Sequence, residues 1–224
     1  MNRSRARLYR AAGLLALVAA VGAVCAVPLR HPWMYNGSSS MPVGLYELWP
    51  VDRPARPGDT LVICAPDDVA RLGAARGYLE PGPCVAHTAP LIKLVAAVSG
   101  DVVDLGDRSI AVNGRCLGAG AGTTFAHDSR GGKLPRVRRG RYRLGPHDVW
   151  VWAPAERSFD SRYFGPLDVR GATAFASAVF VRPAPAKLGL SSGPCLAAGN
   201  ADLLRDVPAL AETLSDRAVR ARGR

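Results

Sequence analysis

Lysine is almost missing from this chain: among 29 basic residues only Lys93, Lys133 and Lys187 are lysines, and all the others are arginines. Histidine is thin too. The four histidines, His31, His87, His127 and His147, are scattered and none sits in a catalytic motif, so a histidine-based nucleophile arrangement has no support. Among the five cysteines there is no C-x-x-C, and no cysteine and histidine cluster with zinc spacing. No metal site and no cofactor are expected. Internal repeats and low-complexity tracts are absent, which removes solenoids and disordered scaffolds from consideration. The basic run Arg130, Lys133, Arg136, Arg138, Arg139, Arg141 and Arg143 has only Tyr142 as an interleaved aromatic, and no helix-turn-helix or other binding motif accompanies it. No nucleic-acid partner is expected. An anionic lipid surface is the simpler account of a net charge of +11, with a loop over a substrate groove as a third reading of the run.

What the chain does have is length, apolar content and one long uncharged segment. With 224 residues and 48% hydrophobic content there is room for one sizeable core. Ala11 to Leu29 runs 19 residues without a charge, preceded by Arg3, Arg5, Arg7 and Arg10, which is about the length a bilayer core requires. Arginines before such a helix stay in the cytoplasm, so the expected order is a basic cytoplasmic tail at 1–10, a transmembrane anchor at 11–29, a periplasmic domain at 30–183 and a C-terminal extension at 184–224. The protein is then expected in a bacterial inner membrane as a single-pass protein with the bilayer as one partner. A cleaved signal peptide is the rival, since Val24-Cys25-Ala26 is a passable small-residue site, but its apolar region would be long.

Three segments carry chemistry. The first is Asn36-Gly-Ser-Ser-Ser40-Met41-Pro42-Val-Gly44-Leu-Tyr46, just after the apolar segment. A serine hydroxyl is a weak attacker until a base takes its proton, and with histidine set aside a lysine is the better candidate. Lys93 alone lies in an apolar strand-like run, Pro90-Leu-Ile-Lys93-Leu-Val-Ala-Ala-Val. Burial there would penalise the ammonium and lower its pKa, by up to roughly 3–5 units when complete. Leu91, Lys93 and Val95 would share one face of that strand. The bland alternative is an edge-strand lysine that snorkels to water. The third segment is Ser158-Phe-Asp160-Ser-Arg162-Tyr163-Phe164-Gly165-Pro166, which by itself reads as a salt-bridged turn.

Together these segments resemble the type I signal peptidase superfamily of Ser-Lys proteases, whose motifs are a serine beside methionine near a proline, a lysine shortly before Gly-Asp, and Asp-Ser-Arg. Here they read Ser40-Met41-Pro42, Lys93 followed by Gly100-Asp101, and Asp160-Ser161-Arg162. Within that superfamily the pattern is closest to the TraF-type conjugative transfer signal peptidases, with Ser-x-Pro-x-Gly-x-Tyr from Ser40 to Tyr46 and Ser-Phe-Asp-Ser-Arg-Tyr-Phe-Gly from Ser158. The resemblance spans roughly Asn36 to Val181. It implies that Ser40 is the nucleophile and neutral Lys93 the general base. It further implies that Ser38 and the Ser40 backbone N–H form the oxyanion hole, that Ser158 orients the lysine, and that Asp160 and Arg162 pair to support the site. The implied substrate is an exported precursor or propilin cut after small residues, by hydrolysis or by acyl transfer to another amine. A general leader peptidase is the enzyme alternative, and a basic anchored scaffold of a secretion channel is the non-enzyme one.

Read for secondary structure, the chain is mainly β with one or two short helices, the complex β fold of signal peptidases that the resemblance implies. Strands are expected at Gly44–Leu48, Thr60–Cys64, Leu91–Val98, Val102–Leu105, Ser109–Val112, Arg141–Leu144, Asp148–Trp152 and Ala174–Val181, with Asn113-Gly114 as a hairpin turn. A helical excursion over Pro66–Gly77, capped by Asp67, is expected to be stapled by a Cys64–Cys84 bridge. Cys116 and Cys195 pair only by elimination. The extension is either partly disordered or helical over Leu203–Arg220, interrupted at Pro208.

Overall fold

The computed structural model describes residues 12–19, 22, 31–118, 120–184, 186–191 and 195. It divides into two units, Met1–Pro32 and Trp33–Arg224. In the first, residues 12–19 are helical and present Leu14, Leu15, Leu17 and Val18. Among the described residues no helix is long and apolar enough to cross a membrane. Most of the 11–29 segment, Cys25 and the Leu203–Arg220 stretch lie outside the described residues.

Among the described residues the second unit has eleven strands in two antiparallel sheets. Strands β1 (Trp33–Asn36), β2 (Val43–Trp49), β3 (Thr60–Ile63), β4 (Leu91–Ala97), β9 (Asp148–Trp152), β10 (Leu167–Asp168) and β11 (Ala172–Arg182) form a seven-stranded sheet in the order β1-β2-β11-β3-β4-β9-β10. Strands β5 (Val102–Leu105), β6 (Ile110–Val112), β7 (Arg115–Cys116) and β8 (Gly140–Arg143) form a smaller sheet in the order β7-β6-β5-β8. The largest core cluster joins the two, with Ile92, Leu94, Trp150 and Trp152 packed beside Val103, Ile110, Val112 and Leu144. A second cluster gathers Ile63, Leu91, Val149, Val151 and Leu167 around helix α1 (Asp67–Arg76).

The expected strands are present to within two residues at each end. Strand β4 lies between β3 and β9, and every one of its residues is buried, so both of its faces are core faces. That placement excludes the edge-strand reading of Lys93, since an edge is where a lysine could lean out to water. Asn113 and Gly114 carry φ of 50° and 77° in the two-residue turn between β6 and β7, the left-handed pair such a hairpin demands.

Helix α1 corrects one expectation. Asp67 is not the cap: Pro66 holds that position without a side-chain hydrogen bond, and Asp67 is the first helical residue. There its carboxylate accepts from Arg71 Nε at 2.9 Å, one turn on, and faces the positive end of the helix dipole. Gly77 closes the helix at φ 66°, where a residue with a Cβ would be strained. The Cys64–Cys84 bridge staples the excursion, and a second bridge joins Cys116 to Cys195. Strands β1, β7 and β10 and a single helical turn, α2 (Ser161–Phe164), were not expected.

Candidate active site

The loop that carries Ser40 is held from below by Asn36, the last residue of β1. Its buried side chain donates to the carbonyls of Ser38, Met41 and Pro42, each at 3.1 Å, and accepts from Ser38 N–H. A single amide thereby ties together the backbone at Ser38, Met41 and Pro42 on either side of Ser40. Tyr46, buried on β2, donates its hydroxyl to the Pro42 carbonyl at 2.7 Å from the other side. Gly44 sits between them at φ 144°, and a Cβ there would lie 2.1 Å from the Phe180 carbonyl oxygen on β11. The Gly-x-Tyr part of the motif thus has a physical reason at both of its fixed positions. Asn36 carried no sequence signal beyond its place at the head of the motif. Within the loop, Ser40 N–H donates to Ser38 Oγ across a long 3.4 Å.

Lys93 rises from β4 opposite Leu61 of β3 and is 3% exposed. Burial pushes its ammonium down to about 8, against the opposing pull of the Asp160 carboxylate, with the Arg162 guanidinium pushing the same way as burial. Neither Lys93 Nζ nor Ser40 Oγ is hydrogen-bonded to the other. Ser158 Oγ is buried and likewise has no hydrogen-bond partner among the described residues.

Asp160 and Arg162 form a fully buried, bidentate pair, with Nε to Oδ1 at 2.8 Å and Nη2 to Oδ2 at 2.7 Å. Asp160 also accepts from the backbone N–H of Ala153 and caps α2 by accepting from Arg162 N–H. Arg162 donates onward to the carbonyls of Ala155 at 3.0 Å and Thr123 at 3.3 Å. A buried charge pair repays its desolvation only when its remaining donors and acceptors are met, and here they are. Ser161, which sequence reasoning passed over, accepts from Val151 N–H at 2.9 Å and ties the turn to β9. The segment therefore is a salt-bridged turn, and it also sets charge around Lys93.

Ser40 opens onto a cavity of about 200 Å³. Its walls come from separate parts of the chain: Tyr78 from the stapled excursion, Phe159 and Tyr163 from the third segment, and Phe125, Asp128 and Leu134 from the loop after β7. Phe159 packs its ring against Tyr78 at 5.6 Å and Tyr163 at 5.7 Å. Asp128 is fully engaged, accepting from Tyr78 Oη and from the N–H groups of Arg130 and Gly132, and pairing with Arg76 at 3.5 Å. The Tyr78 hydroxyl holds its carboxyl below the usual carboxylate range. The basic run thus begins in a loop that walls the cavity.

A family model described as signal peptidase, peptidase S26, matches residues 5–181. The conjugal transfer protein TraF of Agrobacterium tumefaciens is 32% identical over 188 residues, covering 80% of this chain and 98% of that protein. A probable conjugal transfer protein TraF of Sinorhizobium fredii is 36% identical over 164 residues, 72% of this chain and 84% of that one. A plasmid transfer protein TraF of Escherichia coli is 35% identical over 135 residues, 59% and 74% respectively. A signal peptidase I structure from Enterococcus faecalis aligns with a TM-score of 0.33 at 14% identity over 55% of this chain and 97% of that one, too low for the fold to be argued from it.

Proposed function

The chain belongs to the signal peptidase family, peptidase S26, and on that premise we propose that it is a Ser-Lys endopeptidase that processes an exported precursor in conjugative transfer, the precursor being a pilin subunit. In this reading Ser40 attacks the scissile carbonyl as Lys93, neutral at the time, takes its proton. The tetrahedral oxyanion is met by Ser40 N–H and Ser38 Oγ–H, whose long mutual hydrogen bond in the resting loop is weak enough to be exchanged for the incoming oxygen. Donors of this kind are each worth roughly 3–4 kcal/mol of barrier. Collapse breaks the C–N bond, and Lys93 returns its proton to the leaving amine. Water, or an amine of the substrate itself, then releases the acyl group.

The observation that carries this reading is the burial of Lys93 on a central strand, which brings its pKa to about 8 and so leaves an appreciable neutral fraction near neutrality. Ser158 Oγ, buried and without a partner, is available to take a hydrogen bond from that amine once substrate closes the site. Asp160 and Arg162 act as support. The substrate is bound extended beside β-strands, with small residues at the first and third positions before the cut.

A fluorophosphonate probe tests the assignment. Intact-mass analysis should find one phosphonyl adduct on the wild type, formed as the serine oxygen displaces fluoride and mapped to Ser40, and none on Ser40→Ala; labelling that persists in Ser40→Ala would refute the nucleophile. A general leader peptidase would process a panel of unrelated exported precursors, whereas a dedicated enzyme processes the pilin alone. A non-catalytic scaffold would take up no probe.

A further inference from the structure

Arg157 lines the cavity that Ser40 opens onto, and the centre of its guanidinium lies 4.1 Å from the centroid of the Phe125 ring. A cation–π contact of this kind consumes no hydrogen bond, so the N–H donors of the guanidinium are left for another partner. Those donors hydrogen-bond to nothing and pair with no carboxylate among the described residues. The one acidic residue of the same cavity, Asp128, is already engaged by Tyr78, Arg76 and two backbone N–H groups. Glu156, next in sequence, lines a different cavity with Arg108 and Arg162. The platform itself is fixed, since Phe125 N–H donates to Tyr163 Oη at 3.1 Å and Tyr163 is buried on α2. The result is an exposed cation set against Phe125 on the wall of the cavity that Ser40 also lines, with its N–H donors unused among the described residues.

From this arrangement we propose that Arg157 is a specificity-determining residue that recognises a substrate carboxylate close to the scissile bond. The carboxylate belongs either to an acidic side chain or to the terminus of a chain cut near its end; both offer the two oxygens that match a guanidinium edge. The proposal rests on the peptidase reading for the meaning of the cleft. Its test is a binding measurement that needs no turnover.

Full-length Ser40→Ala protein in detergent is titrated with fluorescein-labelled peptides that carry alanine at the first and third positions before the intended cut. One set moves a single glutamate, or its neutral isostere glutamine, through the positions on either side. A second set ends close to the cut in a free carboxylate or an amide. One position or one terminus should favour the carboxylate by roughly tenfold in Kd, the scale of a hydrogen bond to a charged group. Added salt should shrink the ratio. Adding Arg157→Gln should bring it to unity, Arg157→Glu should invert it in favour of the neutral peptide, and Phe125→Leu should reduce it, with circular dichroism confirming that each variant is folded. Equal binding of charged and neutral peptides everywhere, binding of none, or a preference that survives in Arg157→Gln would each overturn the proposal. Failure of the fluorophosphonate probe on wild type would count against the catalytic reading while leaving this ratio measurable.

Discussion

At the residue scale Lys93 separates what serves stability from what serves chemistry. A lysine whose pKa drops from 10.5 to about 8 on folding gives up a proton that the unfolded chain keeps. Between those two values the unfolded state binds more protons, so stability rises with pH across that window, while below about 8 the full cost is present. The difference of 10.5 minus about 8 corresponds to about 3 kcal/mol. Lys93→Met, which keeps the apolar stem and removes the charge, should therefore stabilise the protein at neutral pH by on the order of 3 kcal/mol and abolish turnover. Urea denaturation at several pH values checks this: the variant should be flat over the window in which the wild type climbs. A variant less stable than wild type at pH 7 would mean that the ammonium is satisfied in the fold. Peptidase activity of the wild type should rise with pH through an apparent pKa near 8. Sequence alone marked Lys93, because one lysine in an apolar run is conspicuous among so many arginines. It could not mark Asn36, whose three carbonyl partners come together only when the loop is closed.

At the scale of elements, the stapled excursion contributes a wall of the cleft. Cys64 follows β3 and Cys84 precedes β4, so their bridge returns the chain to the sheet after α1 and delivers Tyr78 to Asp128 and Phe159. Closing a loop with a sequence separation of 20 stabilises by about 3 kcal/mol in the chain-entropy model. A Cys64→Ser, Cys84→Ser double variant should lose about that much in a denaturant titration, with a steeper slope because the unfolded chain, freed of the bridge, exposes more surface. It should also raise the KM for peptide substrates more than it lowers kcat, because Tyr78 borders the cavity and has no part in the proposed proton transfer; an unaltered KM would show that the wall stands without its staple. The long strands were legible because alternation and β-branched runs span them, and the Asn113-Gly114 turn because only a few residue pairs suit it. Strands β1, β7 and β10 are too short to show a period, and α2 is a single turn whose cap, Asp160, reads equally well as a loop acid. The loop that lines the cavity was invisible for another reason. His127 and Lys133 bridge only because Asp128 gathers the N–H groups of Arg130 and Gly132 beneath them, and nothing in the order of those residues announces it.

At the scale of the whole molecule, charge and length decide where this cleft works. The chain carries a net +11, and four of its arginines stand before the uncharged stretch from Ala11 to Leu29. Moving such arginines across a bilayer is opposed by about 2.5–3.5 kcal/mol each at its centre, and on that ground we propose that they stay on the cytoplasmic side while the remainder of the chain is carried out. Two disulfides in the folded unit suit an oxidising compartment. Ser40 follows Trp33 by seven residues, which at about 3.3 Å per extended residue is a reach of no more than ~25 Å. If the stretch is retained as an anchor, the serine works close to the membrane surface, on substrates that are membrane-bound or just emerging. The expected outcome is that a reporter active only outside the cytoplasm, fused after Arg224, is active, and that the fusion stays in the membrane fraction through a carbonate wash. Recovery of a shortened, soluble protein beginning near Val27 would identify the segment as a cleaved signal, and the cleft would then have to meet its precursor in solution.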